Sequence, residues 1–158
     1  MAASGVFVDL HTTMLAAAAA GTASYGGAIT SWAVGEGGYL TVGASKIPKA
    51  PDPTLTDTEA SIPPATIATS ATGLRFAGVF GVGDVVAAGS LITATITLNA
   101  VEAGLDNNSK LTGNAGNPPQ LFEVMLFDAA GDAVAYCTYD QVVKVVGTPV
   151  TLTLTLTY

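Results

Sequence analysis

Two stretches of the chain alternate strictly between aliphatic and hydroxyl side chains. In Leu91–Leu98, Ile92, Ala94, Ile96 and Leu98 interleave with Thr93, Thr95 and Thr97. Near the end, Val150, Leu152, Leu154 and Leu156 interleave with Thr151, Thr153, Thr155 and Thr157. A period of two is that of a β-strand with one face on a core and the other towards water or a partner. Between them, Leu121–Phe127 is a strand-like apolar run and Asp128-Ala129-Ala130-Gly131-Asp132 reads as a turn, with Gly131 free to take positive φ. Ala133–Tyr139 returns as the partner strand, and Val142–Val146 follows before a turn at Gly147-Thr148-Pro149. Upstream, Ile29–Val34 and Tyr39–Val42 flank Gly35-Glu36-Gly37-Gly38, which predicts a glycine-rich hairpin loop. Ile67–Thr72 and Leu74–Phe80 are expected to pair around Gly73.

One segment departs from this rhythm. Asp9-Leu10-His11-Thr12 offers capping side chains, Met14-Leu15 and five alanines follow, and Gly21 suits a left-handed C-terminal position. That predicts one short helix in an N-terminal arm, residues 1–28. Residues 46–64 carry Pro48, Pro51, Pro53, Pro63 and Pro64 and read as an exposed extended loop, because proline withdraws ladder donors. Residues 106–120, with Asn107, Asn108, Asn114, Asn117 and Pro118-Pro119, read as a second long loop. Together these predict a single domain over 1–158: mainly β, an antiparallel β-sandwich or jelly-roll-like body with one short N-terminal α-helix.

Charge changes the picture more than length does. Only 11% of the residues are charged, against roughly 25% in an ordinary soluble domain. Polar surface must then come from Thr, Ser, Asn and Gly, which cost less to desolvate than ions and suit faces covered by neighbours. A net charge of −7 argues against nucleic acid. The apolar stretch from Met14 to Ala20 is well short of the ~20 residues of a spanning helix. No Lys or Arg precedes Lys46, so the basic start of a secretory signal is missing. No membrane partner is expected.

Catalytic chemistry finds little to build on. His11 is the sole histidine, and its place at a helix start suits a surface or contact role. Asp128 and Asp132 flank a hairpin turn, where aspartate bonds to local backbone. Cys137, the lone cysteine, lies in a strand-like run and reads as a small buried apolar side chain. Gly35–Gly38 and Gly78/Gly81/Gly83 match no phosphate loop. The spacing of a calcium loop is absent too, with Asp106–Ser109 or the 128/132 turn the alternatives for a Ca²⁺. The expectation is a protein that is not an enzyme and needs no cofactor.

Three segments carry a family resemblance. Leu121-Phe122-Glu123-Val124-Met125-Leu126-Phe127-Asp128-Ala129-Ala130-Gly131-Asp132-Ala133-Val134-Ala135-Tyr136 resembles the F-x-E-(I/V)-G-L-F-D-x-x-G-x-x-(I/V)-A hairpin of bacteriophage tail-collar or tail-fibre attachment proteins. Lys144 and the hydrophobic final strand fit the same pattern. Ala16–Gly21 followed by Ile29-Thr30-Ser31-Trp32-Ala33-Val34-Gly35-Glu36-Gly37-Gly38 resembles that family's alanine helix and I-T-x-x-A-(L/V)-G-(D/E)-G opening. Pro51-Asp52-Pro53 with Thr56–Glu59 is similar to its P-x-P-D-x-T-x-L segment. Met125 stands where the family has glycine, and residues 67–120 match only in strand rhythm.

The resemblance implies a virion structural protein, assembled in the host cytoplasm and homo-oligomeric, with a trimer as one form. Its partners would be other phage virion proteins, at the tail, collar or baseplate. A capsid decoration (cement) protein clamping major capsid subunits is the alternative, and a secreted carbohydrate-binding module a remoter one. Contact residues are then expected among the aromatic groups and the threonine rows: Trp32, Tyr39, Phe127, Tyr136, Tyr139, Thr151, Thr153, Thr155, Thr157 and Tyr158. Phe122 and Trp32 also suit a core. The terminal strand and Met1–Val8 are candidates to complete a neighbour's sheet.

Overall fold

The computed structural model describes residues 3–7, 28–59, 75–99, 119–145 and 147–157. The expected helix at 9–21, the Gly73 pairing, most of the loop at 106–120, and Tyr158 lie outside the described residues. Among the described residues the chain is all strand and loop. The strands are β1 (Ala3–Phe7), β2 (Ile29–Gly35), β3 (Tyr39–Val42), β4 (Ser45–Pro48), β5 (Arg75–Val79), β6 (Val85–Ala88), β7 (Leu91–Leu98), β8 (Gln120–Asp128), β9 (Ala133–Val143) and β10 (Val150–Thr157).

Among the described residues every pairing is antiparallel. A five-stranded sheet runs β1-β9-β8-β2-β5 and a three-stranded sheet runs β10-β7-β6, with β3 and β4 forming a separate hairpin. The two larger sheets share one core. Ile92, Ile96, Leu152 and Leu154 of the small sheet join Val34, Val124, Leu126 and Cys137 of the large one in a single buried cluster. This is the sandwich expected from the alternating strands, and the alternation decides which side chains are sealed. Leu152, Leu154 and Leu156 are buried while the threonines between them are exposed.

The centre of the five-stranded sheet, β8 with the first part of β9, is covered on both faces, which explains the nearly unbroken apolar run in β8. Val124 and Leu126 face the small sheet. Met125 and Tyr136 face the other way, where Leu55 of the 49–59 segment packs over them. Thr138 Oγ1 donates to the Lys49 carbonyl at 2.7 Å, and Lys49 N–H donates to the Gly38 carbonyl at 3.0 Å, tying this cover to the sheet.

Three sequence expectations are corrected. Gly35–Gly38 is not a hairpin loop: β2 pairs with β8 and β5, and β3 turns back onto β4. The loop expected from residue 46 begins later, because Ser45–Pro48 is a strand; Pro48 is tolerated in a ribbon whose outer side needs no donor. The loop expected to end at residue 120 ends earlier, since Gln120 already pairs with Val143. The hairpin at 121–139 and the strands at 91–98 and 150–157 form as expected.

Candidate functional site: a junction at Glu123 and an ion-free sheet face

Glu123 interrupts the apolar run of β8, and the structure shows why it stands there. It is fully buried, and its carboxylate accepts hydrogen bonds from Gly37 N–H at 2.9 Å, Glu59 N–H at 2.6 Å and the Tyr136 hydroxyl at 2.7 Å. Its own carbonyl accepts from the Tyr139 hydroxyl at 3.1 Å. A buried carboxylate is tolerable only when so saturated. Gly38 comes so close that a Cβ there would sit 2.9 Å from Glu123 Cβ, and its φ of +76° also requires glycine. Glu59 accepts from Gly38 N–H at 3.1 Å and pairs with Lys49, while Glu36 accepts from Gln120 N–H at 2.9 Å.

Glu123 therefore joins three segments far apart in sequence: 29–38, 51–59 and 121–139. These segments contain the sequence motifs singled out above. The remaining motif positions have local structural work. Asp128 Oδ1 accepts from Ala130 N–H at 2.9 Å and Asp132 N–H at 3.0 Å, closing the turn in which Gly131 has φ +87°. Lys144 is buried and its ammonium donates to the Val145 and Thr148 carbonyls, at 3.2 and 2.9 Å, in the link from β9 to β10.

Several expected contact residues turn out to be internal. Tyr136 and Tyr139 are sealed in the chain, and burial raises both phenols above their ordinary value, with Glu123 adding to the rise. Burial likewise pushes the Cys137 thiol up to about 12, which makes it a poor nucleophile near neutrality. Trp32 is 7% exposed and belongs to the core. Half-buried Tyr39 packs on Phe122 with ring centroids 5.0 Å apart, and the Lys46 ammonium lies 4.2 Å over its ring. Phe127 borders an open hollow of about 340 Å³ with Trp32, Asp57 and Gly78.

The threonine row lies elsewhere, on the outward face of the small sheet. Thr151, Thr153 and Thr155 stand opposite Thr97, Thr95 and Thr93, and Thr157 opposite Leu91. Val86 extends the face onto β6 opposite Thr93, with Ala88 opposite Leu91. Leu91 and Val86 are 42% and 53% exposed. β6, β7 and β10 contain no ionisable residue at all. Lone domains usually place Lys and Glu on such a surface. Sequence reasoning found the threonines but not the apolar corner at Val86 and Leu91, because Val85–Ala88 is too short to show a period.

The described lysines do not make a basic surface. Lys46 lies over Tyr39, Lys49 pairs with Glu59, and Lys144 is buried. Among the described residues no group of three or more His, Cys, Asp or Glu side chains is placed to hold a metal ion. No family model matches the chain, and neither a curated protein nor a solved structure matches it.

Proposed function

We propose that the chain is a non-enzymatic bacteriophage virion structural protein of the tail-fibre or collar type, acting through contacts between subunits. The observation that carries this reading is the outward face of β6, β7 and β10, which holds no ionisable side chain in a protein of net charge −7. A hydroxyl and methyl surface is cheap to dehydrate and donates and accepts hydrogen bonds, so it suits permanent burial better than permanent solvation. The phage setting comes from the resemblance of the 29–38, 51–59 and 121–136 segments. Their convergence on Glu123 supports reading them as one architectural unit.

In this role Glu123 keeps the sandwich and its cover as one rigid block, and the neutral face meets the neighbouring subunit. The test is to locate the chain in purified particles, by cross-linking mass spectrometry and by imaging with a tagged chain. Cross-links from the 91–98 and 150–157 strands to a tail or collar protein are the expected result. Particles that lack the chain overturn the reading, and cross-links to the major capsid protein would move it to the head shell.

A further inference from the structure

We propose that β10 is a pairing edge for a second copy of this chain. Two β10 strands meet antiparallel about a two-fold axis and merge their three-stranded sheets into one continuous sheet. The proposal rests on the reading that the protein works through subunit contacts, and it names the first of them.

Among the described residues the other sheet edges are protected. β1 has five residues, and β3, β4 and β6 have four each, too short to template much pairing. β4 also carries Lys46 and Pro48, and β5 carries the side-chain-free Gly78. β10 shows none of these devices. It has eight residues without proline, glycine or charge, in unbroken register with β7 from Val150↔Leu98 to Thr157↔Leu91. Among the described residues only β7 pairs with it.

The edge is also its own complement. An antiparallel register that sets Thr opposite Thr sets Leu opposite Leu, because both recur every second residue. The buried row Leu152, Leu154 and Leu156 then continues the core from one copy into the next, and the threonines continue the outward face. A slip by one residue would turn leucines towards water, so only one parity of register is favourable. No like charges meet across the axis, since neither β10 nor its neighbours β7 and β6 carry any. A two-fold edge contact closes on itself, so it builds a dimer in place of the trimer implied by the family resemblance.

Sedimentation velocity on the full chain over the micromolar range tests the pairing. The wild-type chain is expected to dimerise. Thr153→Lys with Thr155→Lys sets ammonium groups across the axis and is expected to weaken the dimer at least tenfold, with the melting curve retained because both sites are exposed. Thr153→Glu with Thr155→Glu is expected to do the same, and an equimolar mixture of the two variants to recover the dimer, which a folding defect could not imitate. Thr95→Lys, on the central strand of the face, is expected to leave the dimer intact.

A monomeric wild-type chain, a dimer that survives the lysine pair, a mixture that stays monomeric, or loss of the dimer with Thr95→Lys each overturns the edge pairing. A monomer that still cross-links into particles overturns the pairing alone. A dimer never found in particles overturns the virion reading alone.

Discussion

The Tyr136 hydroxyl donates to the Glu123 carboxylate at 2.7 Å, and both groups are sealed from solvent. The same carboxylate holds Gly37 and Glu59, so one side chain orders two loops that no strand ladder ties to the sheet. Glu123→Ala strands three buried or half-buried donors and is expected to cost about 3–4 kcal/mol. Tyr136→Phe removes one bond and should cost about 1–2 kcal/mol. Urea denaturation gives both values. Hydrogen exchange should show faster exchange at Gly37, Gly38 and Glu59 in Glu123→Ala, with the β7–β10 ladder protected in proportion to global stability alone.

Gly78 stands opposite Trp32 in the β2–β5 ladder, and the indole lies across the space a side chain would fill. A Cβ at Gly78 would sit 2.5 Å from Trp32 Cζ2. Gly78→Ala therefore displaces the ring, at an expected cost of about 2 kcal/mol. In a Trp32→Phe background the same change should cost much less, because the smaller ring leaves the space open. A double-mutant cycle with a coupling near zero would contradict this contact.

Alkali should destabilise the protein through three groups. Cys137 is pushed by burial up to about 12 from an ordinary 9.0, and Tyr136 and Tyr139 are raised above the ordinary phenol value of 10.0. Each binds its proton more tightly folded than unfolded. Their contribution is complete below the unfolded values and is lost as pH rises through the window from about 9 upward, at about 1.4 kcal/mol per pH unit for each group. The urea midpoint should be flat from neutrality to about pH 8.5 and then fall. Tyrosinate absorbance from these two phenols should appear only with unfolding.

The strands that repeat strictly every second residue were legible, because a one-sided sheet writes its buried face into sequence. Leu91–Leu98 and Val150–Thr157 needed nothing else. Positions buried from both sides carry no such period. That is why Tyr136 and Tyr139 read as surface anchors although β9 lies under a cover as well as over a core. The glycines at 35–38 read as a turn, whereas Gly38 is small because Glu123 and Tyr136 press against it. The one available hint of the junction was a lone acidic residue inside the apolar run Leu121–Phe127. Met1–Val8 was expected to complete a neighbour's sheet, whereas β1 pairs with β9 of its own chain; a segment so short, built partly of Ala, Ser and Gly, does not specify its partner.

β1 supplies the last prediction. It pairs with β9 of its own chain, from Ala3↔Tyr139 to Phe7↔Ala135, and ends the five-stranded sheet. Removing Met1–Val8 withdraws that ladder from the backbone of β9. The described core cluster draws on β2 and β7–β10, so the sandwich should persist with a lower urea midpoint. Amides within Ala135–Tyr139 should exchange faster, and those of β7 should not change beyond the global loss. Because β9 would then present an open edge, the truncated chain should also aggregate more readily on concentration. Light scattering measures this, and an equally soluble, equally stable truncated chain would show that β1 contributes nothing to closing the sheet.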